Sequence, residues 1–335
     1  MLIKDKNFTV PMSDTAGFNN PMAPERSVAD PTVLYDRQRK CWYLLATGNK
    51  SLTLCRAERF ADLGTAGESR VIYEASDADG TVGSFWAPEL HFLDGKWYIY
   101  TSTENPAGKG GYHLFVLRAN TDDPMDGFSL AGHLAPQRNA IDPTVYRTPD
   151  GKLLLCCAFM DTANGRECLL MQEMASPTAL KGEGALLSTA TLPWELDPTA
   201  NGGVDRINEG PYFLPEPESG RLFLVYSANG CMNDDYLLGI LELKGDDPLD
   251  PACWEKDTEP FFTKGNGCFG PGHASFFTSP DGKEIWMACH RLDRSNPTEA
   301  PMPRRLHCQR VFFDATGFPH VGEPAAYSPL PGGSL

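Results

Sequence analysis

The sequence lacks any long apolar segment. No run approaches the roughly 18 to 20 consecutive apolar residues that a membrane-spanning helix requires. The first residues, Met1–Phe8, also lack the apolar core of a secretory signal peptide. The sequence therefore predicts no membrane partner, and we expect a cytoplasmic protein.

Basic residues are scarce relative to acidic ones. The chain of 335 residues has 29 Lys and Arg against 44 Asp and Glu, which gives a formal net charge of −15. Because like charges repel, this excess disfavours nucleic acid and anionic membranes as partners. A neutral ligand such as a sugar is compatible with it.

The ten cysteines do not have the spacing of a metal-binding finger. Cys156 and Cys157 are adjacent in an apolar segment that we predict to be a strand, so their side chains point to opposite faces. Cys41, Cys289 and Cys308 also lie in strand-like segments. The pattern predicts small buried side chains with free thiols in a reducing compartment, and a disulfide framework is the alternative.

What the chain does contain is one pattern repeated five times: a polar or aromatic residue, a short apolar strand, a turn, and a second apolar strand. The repeats open at Asp30, Trp86, Asp142, Glu209 and His273, which are 56, 56, 67 and 64 residues apart. A repeat of this length holds about four short strands. The sequence predicts an all-β fold: one domain over residues 1–335, built as a five-bladed β-propeller with four antiparallel strands per blade.

The ring of blades must also close. The C-terminal segment 310–314 reads as a strand, and we expect it to help close the ring. Pairing of the two termini within one blade would remove exposed sheet edges.

The first strand of each propeller blade lines the central channel, so the five opening residues are expected to converge there. Burying unpaired carboxylates costs on the order of several kcal/mol, and neighbouring carboxylates repel one another. Three acids, an aromatic ring and an imidazole at one mouth therefore indicate a functional site. Glycoside hydrolysis uses two carboxyl groups in opposite protonation states, and a third carboxylate can raise the pKa of the proton donor.

Five segments of the sequence together resemble a known family. They are Ala29-Asp30-Pro31, Trp86-Ala87-Pro88-Glu89, Ile141-Asp142-Pro143-Thr144-Val145, Glu209-Gly210-Pro211 and Gly270-Pro271-Gly272-His273. As an ordered set they resemble glycoside hydrolase family 43, a family of five-bladed propeller arabinofuranosidases, arabinanases and xylosidases. The resemblance extends from about residue 18 to the end of the chain.

The resemblance implies a role for each of the three acids. Asp30 corresponds to the general base that activates water, and Glu209 corresponds to the general acid. Asp142 corresponds to the residue that modulates the pKa of the acid and orients it. The family inverts the configuration at the anomeric carbon. The competing explanation for any single Asp before Pro is a turn cap.

The same resemblance implies four further site residues. Trp86, with its neighbour Phe85, is assigned to substrate binding, and Arg291 is assigned to an arginine near the acids. His273 is similar to the central histidine that faces a calcium ion or waters on the propeller axis. No cofactor is required for the chemistry. The alternatives are a core role for Trp86, a structural hydrogen bond for His273 and a surface ion pair for Arg291.

The expected substrate is a neutral pentose oligosaccharide. Segments 226–231 and 207–209 resemble the branch that removes terminal arabinofuranose, which predicts an exo-acting α-L-arabinofuranosidase. The sequence departs from that branch at Pro143, where Gly is frequent. A β-xylosidase or endo-arabinanase of the same fold and a non-catalytic sugar-binding propeller are the alternatives. Phosphorolysis is a further option, but it would need a basic anion pocket, and the acidic funnel argues against it.

Overall fold

The computed structural model describes residues 2–11, 16–105, 111–135, 139–161, 166–199, 205–293, 303–325 and 329–331. Over these ranges it contains 25 β-strands and five short 3-10 turns, and no α-helix. The turns are Phe60–Asp62, Asp77–Asp79, Pro124–Asp126, Pro193–Glu195 and Pro251–Cys253. None of the helical segments in the described chain has the length and apolar character needed to span a membrane.

The strands form five antiparallel sheets arranged as the blades of a β-propeller, which confirms the predicted fold class. Strand β1 (Ala16–Asn19) precedes the first blade. Blade one contains β2 (Thr32–Asp36), β3 (Cys41–Leu45), β5 (Ser51–Ala57) and β6 (Glu68–Glu74), and the short β4 (Gly48–Asn49) pairs with the next blade. Blade two contains β7 (Val82–Leu93), β8 (Lys96–Glu104), β9 (Tyr112–Ala119) and β10 (Phe128–Leu134).

The remaining three blades follow in chain order. Blade three contains β11 (Ala140–Arg147), β12 (Leu153–Asp161), β13 (Arg166–Ser176) and β14 (Ala179–Thr189), with β15 (Leu196–Asp197) and β16 (Asp205–Arg206) added to its sheet. Blade four contains β17 (Asn208–Pro215), β18 (Leu222–Ala228), β19 (Leu237–Leu243) and β20 (Trp254–Lys256). Blade five contains β21 (Phe269–Thr278), β22 (Ile285–Leu292), β23 (Arg304–Phe313) and β24 (Pro319–His320), and β25 (Pro329–Pro331) lies beyond it.

Tight turns join the first two strands of the blades. Between β7 and β8, Asp94 and Gly95 have φ angles of +49° and +75°. Positive φ at both central residues matches the twist of the flanking strands, which is why Asp-Gly favours two-residue hairpins. The Asp94-Gly95 pair therefore forms the two-residue hairpin that its sequence favours.

A hydrophobic cluster fills each of the five interfaces between neighbouring blades. Because side chains alternate along a strand, one strand contributes side chains to the clusters on both faces of its blade. Cys156 packs in the cluster between blades three and four, whereas Cys157 packs in the cluster between blades two and three. All ten cysteines are free thiols, and only Cys231 and Cys253 are not fully buried, as the sequence predicted.

The ring closes differently from the prediction. Residues 310–313 belong to β23, the third strand of blade five, and the chain ends pair as β1 and β25 in a separate two-stranded sheet. The segment before blade one runs beside β23, where the amide of Met22 donates to Leu306 O (2.9 Å) and that of Val28 donates to Arg304 O (2.7 Å). The cluster between blades five and one completes the ring. Blade five already has four strands of its own, so no terminal strand is required inside it.

Candidate active site

A backbone distortion recurs at the start of every inner strand. Five residues at equivalent positions have left-handed φ angles: Asp30 (+53°), Ala87 (+45°), Asp142 (+54°), Gly210 (+51°) and His273 (+51°). The strand register shifts beside this point in blades two to five. A bulge re-aims the side chain it carries, and left-handed φ costs an L-residue about 1–2 kcal/mol. Four of the five positions accept that cost, which is typical of functional sites.

The positions of the bulges show that two of the five repeats were aligned one residue out in the sequence. Trp86 and Glu209 lie one residue before the equivalent positions, which are Ala87 and Gly210. Four of the five left-handed residues are followed by proline, at 31, 88, 143 and 211. Those prolines were the signal that would have given the correct register.

Asp30 is 8% exposed and is surrounded by donors. Arg304 Nη1 donates to its Oδ1 at 3.2 Å, and Thr47 Oγ1 donates to its Oδ2. His273 Nδ1 lies 3.4 Å from Oδ1. Burial alone would raise the pKa of Asp30, but the charges of Arg304 and His273 outweigh it and hold the pKa well below its usual range. Asp30 is therefore ionised at neutral pH.

His290 completes the surroundings of Asp30 from β22. Burial lowers the pKa of His290 to about 4, so its ring is neutral at pH 7. The amide of Asp30 donates to Nδ1 at 3.2 Å. We therefore interpret the equally short approach of Nδ1 to Asp30 Oδ1 as a neutral contact and not as an ion pair.

Asp142 occupies the equivalent position in blade three, but its environment has the opposite effect. It is 6% exposed, and its Oδ2 accepts from the amide of Gly210 at 3.0 Å. Burial, followed by the charges of Glu209 and Asp30, raises the pKa of Asp142 to about 7, against the opposing effects of His273 and the Gly210 amide. Neighbouring acids in the funnel thus favour opposite protonation states.

His273 lies between these acids. Its amide donates to Ser227 Oγ at 2.8 Å. Burial lowers the pKa of the imidazole, but the charges of Asp30, Asp142 and Glu209 outweigh burial and raise it above the usual value. A Cβ at position 210 would lie 3.0 Å from His273 Nδ1, so glycine at this bulge leaves room for the ring.

Glu209 projects from the beginning of β17, directly opposite Ser227 of β18. A buried polar network fixes the preceding residue, Asn208, which is 0% exposed. Its Nδ2 donates to Glu195 Oε1 at 2.8 Å, and its Oδ1 accepts from Ser188 Oγ at 2.8 Å. Anchoring the adjacent residue restrains the backbone that carries Glu209.

An aromatic surface lies beside the acids. The rings of Trp86 and Tyr112 are 4.4 Å apart at an angle of 37°, and both are partly exposed. Tyr112 comes from the third strand of blade two and was missed in the sequence. Phe85 is 0% exposed and packs against Tyr73 and Phe115. The assignment of Phe85 to substrate binding is therefore corrected: strand alternation directs it into the core.

The structure also changes the assignment of the arginine. Arg291 is 1% exposed, and its side chain hydrogen-bonds Cys268 within blade five. The residue that reaches Asp30 is Arg304, on the next strand. The neighbouring His290 does contact Asp30, and because alternate residues face opposite sides, Arg291 points away.

The described residues include no group of three or more His, Cys, Asp and Glu side chains placed to hold a metal ion. The ring of His273 faces carboxylates whose charges it balances. These side chains do not form a coordination set for calcium, so we derive no step through a metal.

An ionised carboxylate, a second carboxyl of raised pKa and a third acid at the mouth of a five-bladed propeller define the class of a glycoside hydrolase. Comparison with known proteins identifies the family. The model of Glycosyl hydrolases family 43 matches residues 18–319, and the chain belongs to this family.

Three relatives illustrate the match. The chain is 30% identical to an extracellular exo-α-(1→5)-L-arabinofuranosidase of Streptomyces avermitilis, over 95% of this chain and 66% of that protein. It is 32% identical to a protein of the same name from Streptomyces chartreusis, over 82% of each. A solved α-L-arabinofuranosidase from Lactobacillus brevis superposes with a TM-score of 0.80 at 28% identity, over 93% of this chain and 98% of that one.

Proposed function

We propose that this glycoside hydrolase is an inverting, exo-acting α-L-arabinofuranosidase. In this proposal Asp30 is the general base, Glu209 the general acid and Asp142 the pKa modulator. The observation that carries it is the contrast between Asp30, kept ionised by Arg304 and His273, and Asp142, whose pKa is raised to about 7. A general base must be ionised, and the effect of the Glu209 charge on the pKa of Asp142 reflects repulsion between these two carboxyls, which is the interaction that a pKa modulator uses. The electrostatics therefore support this division of roles.

The mechanism follows from these protonation states. Asp30 takes a proton from a water molecule, which attacks the anomeric carbon, while Glu209 gives its proton to the departing oxygen. His273 lies between the carboxyls and balances their charge. Asp142 holds the amide of Gly210, the residue after the acid. The steps use only side chains of this chain.

The substrate class rests on the relatives. Two proteins at 30% and 32% identity are named as exo-α-(1→5)-L-arabinofuranosidases, which favours a terminal arabinofuranosyl unit of a neutral oligosaccharide. The chain spans 66% of the length of the Streptomyces avermitilis protein. A β-xylosidase and an endo-arabinanase are the alternatives within the fold.

The substrate is tested with two chromogenic compounds. We expect hydrolysis of 4-nitrophenyl α-L-arabinofuranoside and much slower hydrolysis of 4-nitrophenyl β-D-xylopyranoside. Early ¹H NMR spectra should show the anomer opposite to that of the substrate. Preference for the xyloside would support the β-xylosidase alternative, and retention would contradict the proposed roles.

The roles are tested by substitution. Asp30→Asn and Glu209→Gln should each reduce the rate on an arabino-oligosaccharide by about 10²- to 10⁴-fold, the usual contribution of one general acid or base. Glu173→Gln, on the outer part of blade three and paired with Lys181, is the control. Near-normal turnover of either site variant would show that its role is misassigned, and inactivity of the native protein on every glycoside would favour a sugar-binding propeller.

A further inference from the structure

A fourth carboxyl group reaches the site from an unexpected strand. Glu167 lies on β13, the third strand of blade three, opposite Met160. The start of β13 pairs with β16, where Arg166 lies opposite Arg206, and β13 packs along β17. This arrangement brings the beginning of β13 to the beginning of β17, where Glu209 lies.

Glu167 is hydrogen-bonded to Glu209. An ionised carboxylate can only accept, so a hydrogen bond between two carboxyl groups requires a proton on at least one of them. Glu167 Oε2 is buried and has no partner among the described residues. A buried oxygen without a donor disfavours the ionised form of its own carboxyl group.

The groups that face Glu167 add to this effect. They are Glu209 of β17, Asp142 of β11, Asp205 of β16, Tyr112 of β9 and Cys231 beyond β18. All of them are acidic or neutral. Burial, followed by the charge of Glu209, raises the pKa of Glu167 well above its usual value. These surroundings favour the protonated form of Glu167, whose O–H group is then the donor in its hydrogen bond with Glu209.

We propose that Glu167 is a positioning residue that stays protonated and donates a hydrogen bond to Glu209. The inference rests on the proposed role of Glu209 as general acid. When the Glu209 O–H bond breaks and the departing oxygen gains the proton, the hydrogen bond from Glu167 stabilises the Glu209 carboxylate that remains. Glu167 keeps its own proton throughout. Asp142 acts differently from Glu167, because its carboxyl group accepts a hydrogen bond from the Gly210 amide.

The test combines two substitutions with two leaving groups. Gln donates a hydrogen bond from a side chain of the same shape, so Glu167→Gln should keep the rate on an arabinobioside within about 3-fold. Leu cannot donate, so Glu167→Leu should lose about 10- to 100-fold, the typical effect of a hydrogen bond to a charged group. On 2,4-dinitrophenyl α-L-arabinofuranoside, whose leaving group departs without protonation, Glu167→Leu should lose about 3-fold or less.

Controls separate this inference from the one it rests on. Glu173→Leu, on the same strand, should match the native rate on both substrates, and circular dichroism and thermal unfolding check folding. Glu209→Gln should itself lose much more rate on the arabinobioside than on the 2,4-dinitrophenyl substrate. If its rate falls equally on both substrates, the role assigned to Glu209 is wrong.

Other outcomes concern Glu167 alone. Suppose that the rate of Glu209→Gln depends on the leaving group as expected. The positioning role of Glu167 is then overturned if Glu167→Leu keeps the native rate, or if its rate falls equally on both substrates. A loss of 10-fold or more in Glu167→Gln would show that Glu167 acts ionised, and this overturns the inference even if the Leu variant does not fold.

Discussion

Asp30 and Asp142 share one backbone conformation, with φ angles of +53° and +54°, but have opposite electrostatic environments. Asp30 meets Arg304 and His273 directly. The Oδ2 atom of Asp142 accepts from a backbone amide, and the charges of two other acids oppose that of His273. Both carboxyl groups are buried, so the difference between the forms that the fold favours comes from their neighbours.

The two aspartates should affect stability with opposite signs. The pKa of Asp142 is raised to about 7. The contribution of this group to the free energy of unfolding is therefore complete below its ordinary pKa near 4 and is lost as the pH rises through about 7. Asp142→Asn should therefore raise the free energy of unfolding at pH 8 by on the order of 1–3 kcal/mol, and the gain should disappear towards pH 4.

Asp30 follows the reverse rule. Its pKa is depressed, so its contribution is present above pH 4 and is lost as the pH falls through the lowered value. Asp30→Asn leaves Arg304 and His273 without their partner and should cost about 3–5 kcal/mol at pH 8. Urea unfolding from pH 4 to pH 8 measures both variants. Equal signs at pH 8 would contradict the electrostatic description.

At the scale of the element, the bulge is the feature that builds the site. A left-handed residue recurs at an equivalent position at the start of each inner strand, and the next residue is proline in four of the five. The sequence repeat could be recognised, but its register was one residue out at Trp86 and Glu209. A period-2 strand pattern does not reveal a bulge, because a bulge is defined by two residues opposing one on the partner strand.

Gly210 offers a test of the bulge. Gly210→Ala adds a methyl group at a φ of +51° and 3.0 Å from His273 Nδ1. The left-handed conformation alone costs an L-residue about 1–2 kcal/mol, and the displaced imidazole should lower kcat by at least about 10-fold, within the contribution of one acid–base group.

The matched control is Gly220→Ala, in a turn of the same blade. Gly220 has a φ of +74°, and an added Cβ meets nothing within 4 Å. It should lose comparable stability, because the backbone cost is similar, and keep full activity. Thermal unfolding and kcat measure the pair; a Gly210→Ala variant with normal kcat would show that the ring of His273 tolerates displacement.

At the scale of the molecule, five apolar interfaces hold the ring, and the cysteines are part of them. Eight of the ten are buried as free thiols. We expect a non-reducing mass measurement to show ten alkylated thiols after denaturation, and fewer than three in the native protein, because only Cys231 and Cys253 are partly exposed. Fewer than ten labels in the denatured protein would indicate a disulfide. The cytoplasmic location stays a prediction.

The sequence by itself determined the architecture, and it predicted the three acids that the structure brings together. The five-fold repeat predicted the blades, because each unit has a local signature of two apolar strands joined by a polar turn, which contains Asp-Gly in three of the five. The opening residues of the repeats predicted Asp30, Asp142 and Glu209 as the acids of the site, because the inner strand of every blade faces the same axis.

Only the tertiary structure decided what surrounds those acids. Four residues near the acids come from the second and third strands of their blades, and the inner-strand repeat does not point to them. They are Arg304, Tyr112, His290 and Glu167. Arg291 and Phe85 were assigned to the site, but each side chain faces away from the funnel on its strand and is buried. Which side of a strand faces the axis depends on register and on the packing of neighbouring blades, and the pKa of each carboxyl depends on charges that are distant in the chain.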